Sequence, residues 1–235
     1  MKELLDKSAM FMNDQKYKET VEQVLKYREH RDALVRREVV LIIPILAGYS
    51  PTEFATKYLH QCMLHLQGLI RKDRDRDKAF VAIGQIANAV GVAISPYLEG
   101  ILGFIQEGLI AKSRNKSGIN EAPIFQCLSM ISAAVGQALT KSVERLLDPI
   151  FSCGLSDSLF QALVDMAHYV PPSRPMIQEK LLDLLSQILA ADGGEVTNGN
   201  DALFALRGQL GCGRAGVTHG THCRPLRYLS LIHIS

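Results

Sequence analysis

Arg71-Lys-Asp-Arg-Asp-Arg-Asp-Lys78 runs directly into Ala79-Phe-Val-Ala-Ile-Gly-Gln-Ile-Ala-Asn-Ala-Val-Gly-Val-Ala-Ile94, and this junction decides the fold. A run of alternating charge has to stay solvated, whereas the segment after it is apolar around most of its circumference. The pair reads as a turn feeding a buried helix. Similar junctions lie before and after it, at intervals of roughly 35 to 46 residues, the spacing of helical-hairpin solenoids.

Working toward the N-terminus, Tyr17, Val21, Val24, Leu25 and Arg28 keep a three-to-four spacing, so Tyr17 to His30 predicts an amphipathic helix. Arg31-Asp32 turns the chain into Val35 to Ala47, an inner helix in which Pro44 predicts a bend near Val40. Ser50-Pro51 predicts the next start, with Ser50 as N-cap and Pro51 in the first turn. Thr52 to Ile70 is then an outer helix burying Phe54, Tyr58, Cys62, Leu66 and Leu69. Within the deciding helix, Gly84 and the alanines around it leave room for a neighbouring backbone to approach.

Toward the C-terminus, Ser95-Pro96 repeats the Ser50-Pro51 start. Further pairs follow at 96–139, joined by the polar loop Lys112 to Glu121, and at 142–170. Met176 to Leu189 carries Ile177, Leu181, Leu184, Leu185 and Ile188 on one stripe. The fold class expected is all-α: a solenoid of about five antiparallel hairpins (17–48, 51–93, 96–139, 142–170 and 173–207), with residues 1–16 as a lead-in. Residues 208–235 contain no acid and no period, and read as a disordered tail foreign to the fold, of read-through or frame-shifted origin.

Composition agrees with many small helix contacts: 47% of the 235 residues are hydrophobic, 6% aromatic, and there is no Trp. The formal charge of +2 comes from the tail. All acids lie within 1–201, and removing Arg207, Arg214, Arg224 and Arg227 leaves 22 basic residues against 24 acidic. Such a body lacks the basic stripe of a nucleic-acid binder. Cys62, Cys127, Cys153, Cys212 and Cys223 have no framework spacing and read as free thiols of a reducing compartment. No secretory leader is legible, and no run reaches the roughly 18 consecutive apolar residues of a membrane span. Asn115-Lys-Ser117 is then a polar loop rather than a glycosylation site.

Chemistry-bearing patterns are weak. Gly211-Cys-Gly213-Arg-Ala-Gly216 fits a phosphate-cradling loop but lacks the strand before it and the helix after it. Cys212, His219, His222 and Cys223 could match a zinc set in number only. His60 and His65 are five apart on one helix, and Ser129 and Ser132 lack a partnering His and acid. No catalytic, cofactor-binding or metal-binding residue is therefore assigned. Arg71, Arg74 and Arg76, alternating with acids that should pair with them locally, and Lys112, Arg114 and Lys116 in the second polar loop, are candidate partner-facing residues.

Asp32-Ala-Leu-Val35-Arg36 resembles the Asp…Val-Arg signature of HEAT repeats, with Asp77-Lys78 a looser copy. In that family the Asp ties down the turn and the Arg braces neighbouring repeats. Longer stretches, Lys72 to Phe80, Tyr97-Leu-Glu-Gly-Ile-Leu, Ile124 to Ile131, Leu146 to Leu155 and Ile177 to Ser186, resemble the N-terminal HEAT solenoid of the target of rapamycin (TOR) kinases, members of the phosphatidylinositol-kinase-related family. The resemblance covers about 15–207. It implies a non-catalytic scaffold segment of a growth-controlling, nutrient-responsive Ser/Thr kinase, with ATP and Mg confined to a kinase domain elsewhere in the parent. It also implies a Raptor-type subunit as partner, a dimer through the parent, and a cytoplasmic location, with peripheral attachment at lysosome, vacuole or endomembranes and a nuclear pool. An independent HEAT adaptor for transport or a phosphatase is the competing expectation.

Overall fold

The computed structural model describes residues 14–72, 74–114 and 119–191. Its helices are α1 (Asp14–Lys26), α2 (Ala33–Tyr49), α3 (Pro51–Lys57), α4 (Leu59–Ile70), α5 (Arg76–Val90), α6 (Leu98–Ser113), α7 (Ala122–Val135), α8 (Thr140–Phe151), α9 (Asp157–Tyr169) and α10 (Arg174–Ala191). No strand occurs among the described residues. The chain is an all-α solenoid, as the sequence predicts.

Two rows build it. The inner row stacks α2 on α5, α5 on α7 and α7 on α9. The outer row is α1, α3 with α4, α6, α8 and α10, each bound to its hairpin partner or to the next outer helix. Inner helices are covered on several sides, which is why they are apolar almost all round. Phe80, Ile83, Ile86, Phe125, Leu128, Ile131, Leu159 and Leu163 are all fully buried. Each such side chain contributes roughly 1.5–3 kcal/mol on leaving water.

Among the described residues, the starts of α2 and α9 have side-chain caps. The Asp32 carboxylate accepts from Leu34 N at 2.8 Å, and Ser156 Oγ accepts from Leu159 N at 3.2 Å. Between hairpins, Gly91 (φ 57°) ends α5 and Gly136 (φ 59°) ends α7. A left-handed backbone suits Gly because it has no Cβ to clash with the following carbonyl. Each glycine opens a 3-10 turn, Gly91–Tyr97 and Gly136–Leu139, that leads from an inner to an outer helix.

Several local expectations are corrected. The outer helix Thr52 to Ile70 is two helices, broken at Tyr58, although Phe54, Tyr58, Cys62, Leu66 and Leu69 are buried together as predicted. Pro44 lies within an unbroken α2. A sharp change of direction, 118°, falls between α2 and α3. Ser50 occupies the cap position of α3, with Pro51 in the first turn, but makes no side-chain cap bond. It closes α2 through its own N–H to Leu46 O. Ser95-Pro96 starts no α-helix. Pro96 lies inside the 3-10 turn, and Ser95 Oγ donates back to Val92 O at 2.6 Å.

By length and hydropathy, the continuous helical runs Arg76–Ser113 and Ala122–Phe151 each contain a stretch long and apolar enough to cross a membrane. Counting consecutive apolar residues does not reveal this. Each run joins an inner helix to an outer one through a positive-φ glycine, so its apolar length belongs to two packed elements.

The stripe on α10 is buried at Ile177 and Leu181 and half-buried at Leu184. The expected inner helix at 201–207 and the tail 208–235, with its glycine and Cys/His patterns, lie outside the described residues.

Candidate protein interface

Side chains that bridge hairpins decide which polar groups are left to meet a partner. Arg36 and Arg37 divide two tasks between them. Arg36 Nη1 donates to His30 O at 2.6 Å and to Arg31 O at 2.9 Å, within its own turn. Arg37 Nε reaches Asp75 of the following hairpin at 3.3 Å. The brace expected from Arg36 is thus made by its neighbour, because Arg36 lies in line with the end of the preceding helical segment. Val35, next to it, is half-buried.

The tie made by Arg36 recurs. Arg76 Nε donates to Ile70 O at 3.1 Å, and Arg174 Nε to Ala167 O at 2.7 Å. In each case an arginine at the start of a helix satisfies a carbonyl left open at the end of the previous one. Sequence reading placed Arg76 among partner-facing residues and missed Arg174 altogether. An Arg in the first turn, five to seven residues after the carbonyl it holds, is the signal that marks all three.

The charge run is therefore spent on other elements rather than only on itself. Arg71 lies over the Phe104 ring, 5.5 Å from its centroid, Asp75 is paired with Arg37, and Arg76 holds a carbonyl. Arg74, Asp77 and Lys78 are exposed. In the second loop, Lys112 pairs with Glu121 at 2.9 Å, closing the loop base, and Arg114 is exposed. Lys116 lies outside the described residues. Of the two sets of candidate residues, Arg71, Arg74 and Arg114 are exposed.

The remaining polar groups are structural. Ser132 Oγ donates to Leu128 O at 2.8 Å inside its own helix. Ser129 donates to Asp165 across the inner row, and Asp165 also accepts from Gln161 at 3.1 Å. His60 Nδ1 lies 3.1 Å from Tyr97 Oη. Burial pushes the thiols of Cys62 and Cys127 up to about 12. Tyr17, raised well above the ordinary phenol range by burial, donates to Leu46 O at 2.9 Å and stacks on Tyr49 with centroids 5.4 Å apart. Among the described residues no group of three or more His, Cys, Asp and Glu could hold a metal ion.

The outer face between the first two hairpins is more open. Two adjoining clefts of about 450 and 300 Å³ share Arg28 and Glu29. Leu34 at 66% and Leu64 at 57% exposure are too open for core residues and stand on these same two hairpins.

No family profile matches the chain. Individual proteins do. Over 195 residues, 83% of this chain, it is 45% identical to the serine/threonine-protein kinase tor1 of Schizosaccharomyces pombe. Over 188 residues, 80% of the chain, it is 37% identical to the serine/threonine-protein kinase TOR of Oryza sativa subsp. japonica. Over 199 residues, 81% of the chain, it is 33% identical to the serine/threonine-protein kinase TOR2 of Saccharomyces cerevisiae. The chain spans only 7 to 8% of the length of these relatives. With this much sequence shared across fungi and a plant, the chain belongs to the TOR serine/threonine-protein kinase family, as a counterpart of one small stretch of its members.

Proposed function

We propose that this chain is a non-catalytic scaffold segment of a TOR kinase, holding protein partners and positioning a kinase domain carried elsewhere in the parent. One observation carries the reading. The part shared with the kinases is a stacked helical solenoid whose bridging side chains, Arg37 to Asp75 and Ser129 to Asp165, join one hairpin to the next. A solenoid built from nearest-neighbour contacts is an extended surface suited to partners. Phosphoryl transfer instead needs a phosphate-binding lysine, a catalytic aspartate and metal-binding groups gathered in one site.

The partner proposed is a Raptor-type substrate-recruiting subunit, within a dimeric complex that controls growth in response to nutrients. ATP and Mg would serve the parent's kinase domain, and the complex would work in the cytoplasm and at endomembranes. The test replaces the stretch of S. pombe tor1 that matches this chain with a flexible linker of equal reach. The kinase should still phosphorylate a small peptide but lose co-purification of its Raptor-type subunit. Normal assembly of the linker variant would overturn the scaffold role. Phosphate incorporation by the purified 235-residue chain, given ATP, Mg and a peptide, would overturn its non-catalytic character.

A further inference from the structure

The two edges of the solenoid differ in charge. At one edge, turns that lead from an outer to an inner helix carry the charged runs Arg28 to Asp32 and Arg71 to Lys78. At the other, the turns from an inner to an outer helix have none: residues 46–52, 86–98, 131–140 and 166–173 contain no Asp, Glu, Lys or Arg. Apolar side chains stand open there instead. Tyr49 is 37% and Val92 72% exposed, and each is followed by an exposed proline, Pro51 and Pro96. Ala138 is exposed in the third turn. In the fourth, Tyr169 is 41% exposed, beside the exposed Pro171. These turns are neighbours, since α3 packs on α5 and the Gly91–Tyr97 turn on α7, and a Cβ at Gly136 would lie 3.5 Å from Tyr169 O. Both tyrosines are steadied by other rings, Tyr49 stacked on Tyr17 with centroids 5.4 Å apart and Tyr169 edge-on to His168 at 4.7 Å. Singly exposed apolar residues are ordinary, but one in each successive turn of an uncharged edge makes a ledge.

We infer that this ledge holds an uncharged, proline-rich segment of a protein partner, lying across the four turns in the polyproline II conformation. Register supports that occupant. Packed helices stand about 8–10 Å apart, and a polyproline II helix, with three residues per turn and a rise of about 3.1 Å, returns to the same side after about 9 Å. One residue in three would therefore land on each successive turn, at Tyr49, Val92, Ala138 and Tyr169. A β-strand covers a similar distance in three residues but points the third one to the opposite face. Charge supports it too, because a charged segment would give up hydration against a ledge that offers no counter-charge. Proline rings suit a surface of tyrosine and proline, and their backbone loses little freedom on docking because its conformation is already set. The inference rests on the scaffold reading only in taking the occupant to be protein.

The test titrates the full 235-residue chain into fluorescein-labelled dodecaproline and follows the anisotropy. Dodecaproline, about 37 Å long, reaches across all four turns and should bind, whereas hexaproline, about half that length, should bind at least about tenfold more weakly. A Gly-Ser dodecapeptide should not bind. Val92→Glu should weaken dodecaproline binding by at least about tenfold and, because Val92 is so exposed, keep the helical circular dichroism. Leu182→Glu, at an exposed apolar residue of α10 in the outer row, should leave binding unchanged. Affinity should hold between about 50 and about 500 mM NaCl, since no ion pair is there to be screened. Equal binding by Val92→Glu, equal binding of hexaproline or of the Gly-Ser peptide, a loss with Leu182→Glu, a loss in salt, or no binding of dodecaproline would each overturn the inference. So would tighter binding of an amphipathic Leu/Lys helical peptide. A chain that sediments as a dimer, and as a monomer once Val92→Glu is made, would overturn it by showing a second copy on the ledge. These outcomes concern the ledge alone, and the scaffold role is tested separately by subunit co-purification with the linker variant of the kinase.

Discussion

Replacing a helix glycine by alanine should have opposite effects at two positions, and the structure sets the sign at each. Alanine is preferred over glycine in a helix interior by about 1 kcal/mol. At Gly68 in α4 an added Cβ meets nothing within 4 Å, so Gly68→Ala should gain that amount. At Gly84 in α5 it would lie 2.9 Å from Met130 Sδ and 3.1 Å from Cys127 Cα. The sulfur is on a flexible side chain and can swing away. The Cα belongs to α7 and cannot yield without parting two inner helices. Overpacking of this kind costs about 1–3 kcal/mol, so after the propensity gain Gly84→Ala should lose about 1 kcal/mol. The two variants should differ by about 2 kcal/mol, which for a domain of this size is about 4–8 °C in Tm. Thermal unfolding followed by circular dichroism measures it. Adding Met130→Ala to Gly84→Ala should not restore Tm, because the backbone contact remains. A Gly84→Ala chain as stable as Gly68→Ala would refute the close approach of α5 and α7.

His65 should make the chain acid-sensitive. Its pKa is lowered in the folded state, so below about 6.5 the unfolded chain takes up a proton that the folded chain declines, and stability falls as pH drops through that value. The wild type should therefore lose more Tm between pH 7.5 and 5.5 than His65→Gln, and equal losses would refute the burial argument. Cys62 and Cys127, with thiols at about 12, should stay unlabelled by a thiol reagent at pH 7.5 until the chain unfolds; mass spectrometry of labelled peptides reads this directly, and native labelling of Cys127 would contradict the inner-row packing. The Arg37–Asp75 pair is about a third exposed on the arginine side, so a double-mutant cycle should give a coupling of only about 0.2–1 kcal/mol; a value above 2 would mean the two hairpins depend on that bridge far more than its geometry suggests.

Much of the fold was legible because apolar period and turn residues both report on local structure. The face Phe54, Tyr58, Cys62, Leu66 and Leu69 is buried although the helix beneath it is broken at Tyr58, since a change of axis need not disturb which side chains face inward. Caps were less legible. Ser50 and Ser95 each precede a proline, yet whether a hydroxyl reaches an N–H depends on backbone angles that the dipeptide does not determine. The candidate interface was the least legible part. Arg36, Arg71, Arg76 and Lys72 look alike in sequence, but one holds its own turn, one a ring, one a helix end, and one lines a cleft.

Charge and hydropathy fail here for the same physical reason, which is that in a solenoid a residue's partner lies about 40 positions away. Asp75 sits among arginines in sequence, yet the bridge it makes is to Arg37, 38 residues back. Ser129 has no acid close to it in sequence, yet it meets Asp165, 36 residues on. Arg76–Ser113 contains a stretch apolar enough for a membrane, but its inner half is covered by α2 and α7 and its outer half by α7 and α8. A window shorter than one hairpin contains only half of each contact. Reading the chain one repeat at a time, position against equivalent position, aligns Gly91 with Gly136 and Arg36 with Arg76. Those pairs are the ones whose backbone angles or hydrogen bonds the structure repeats.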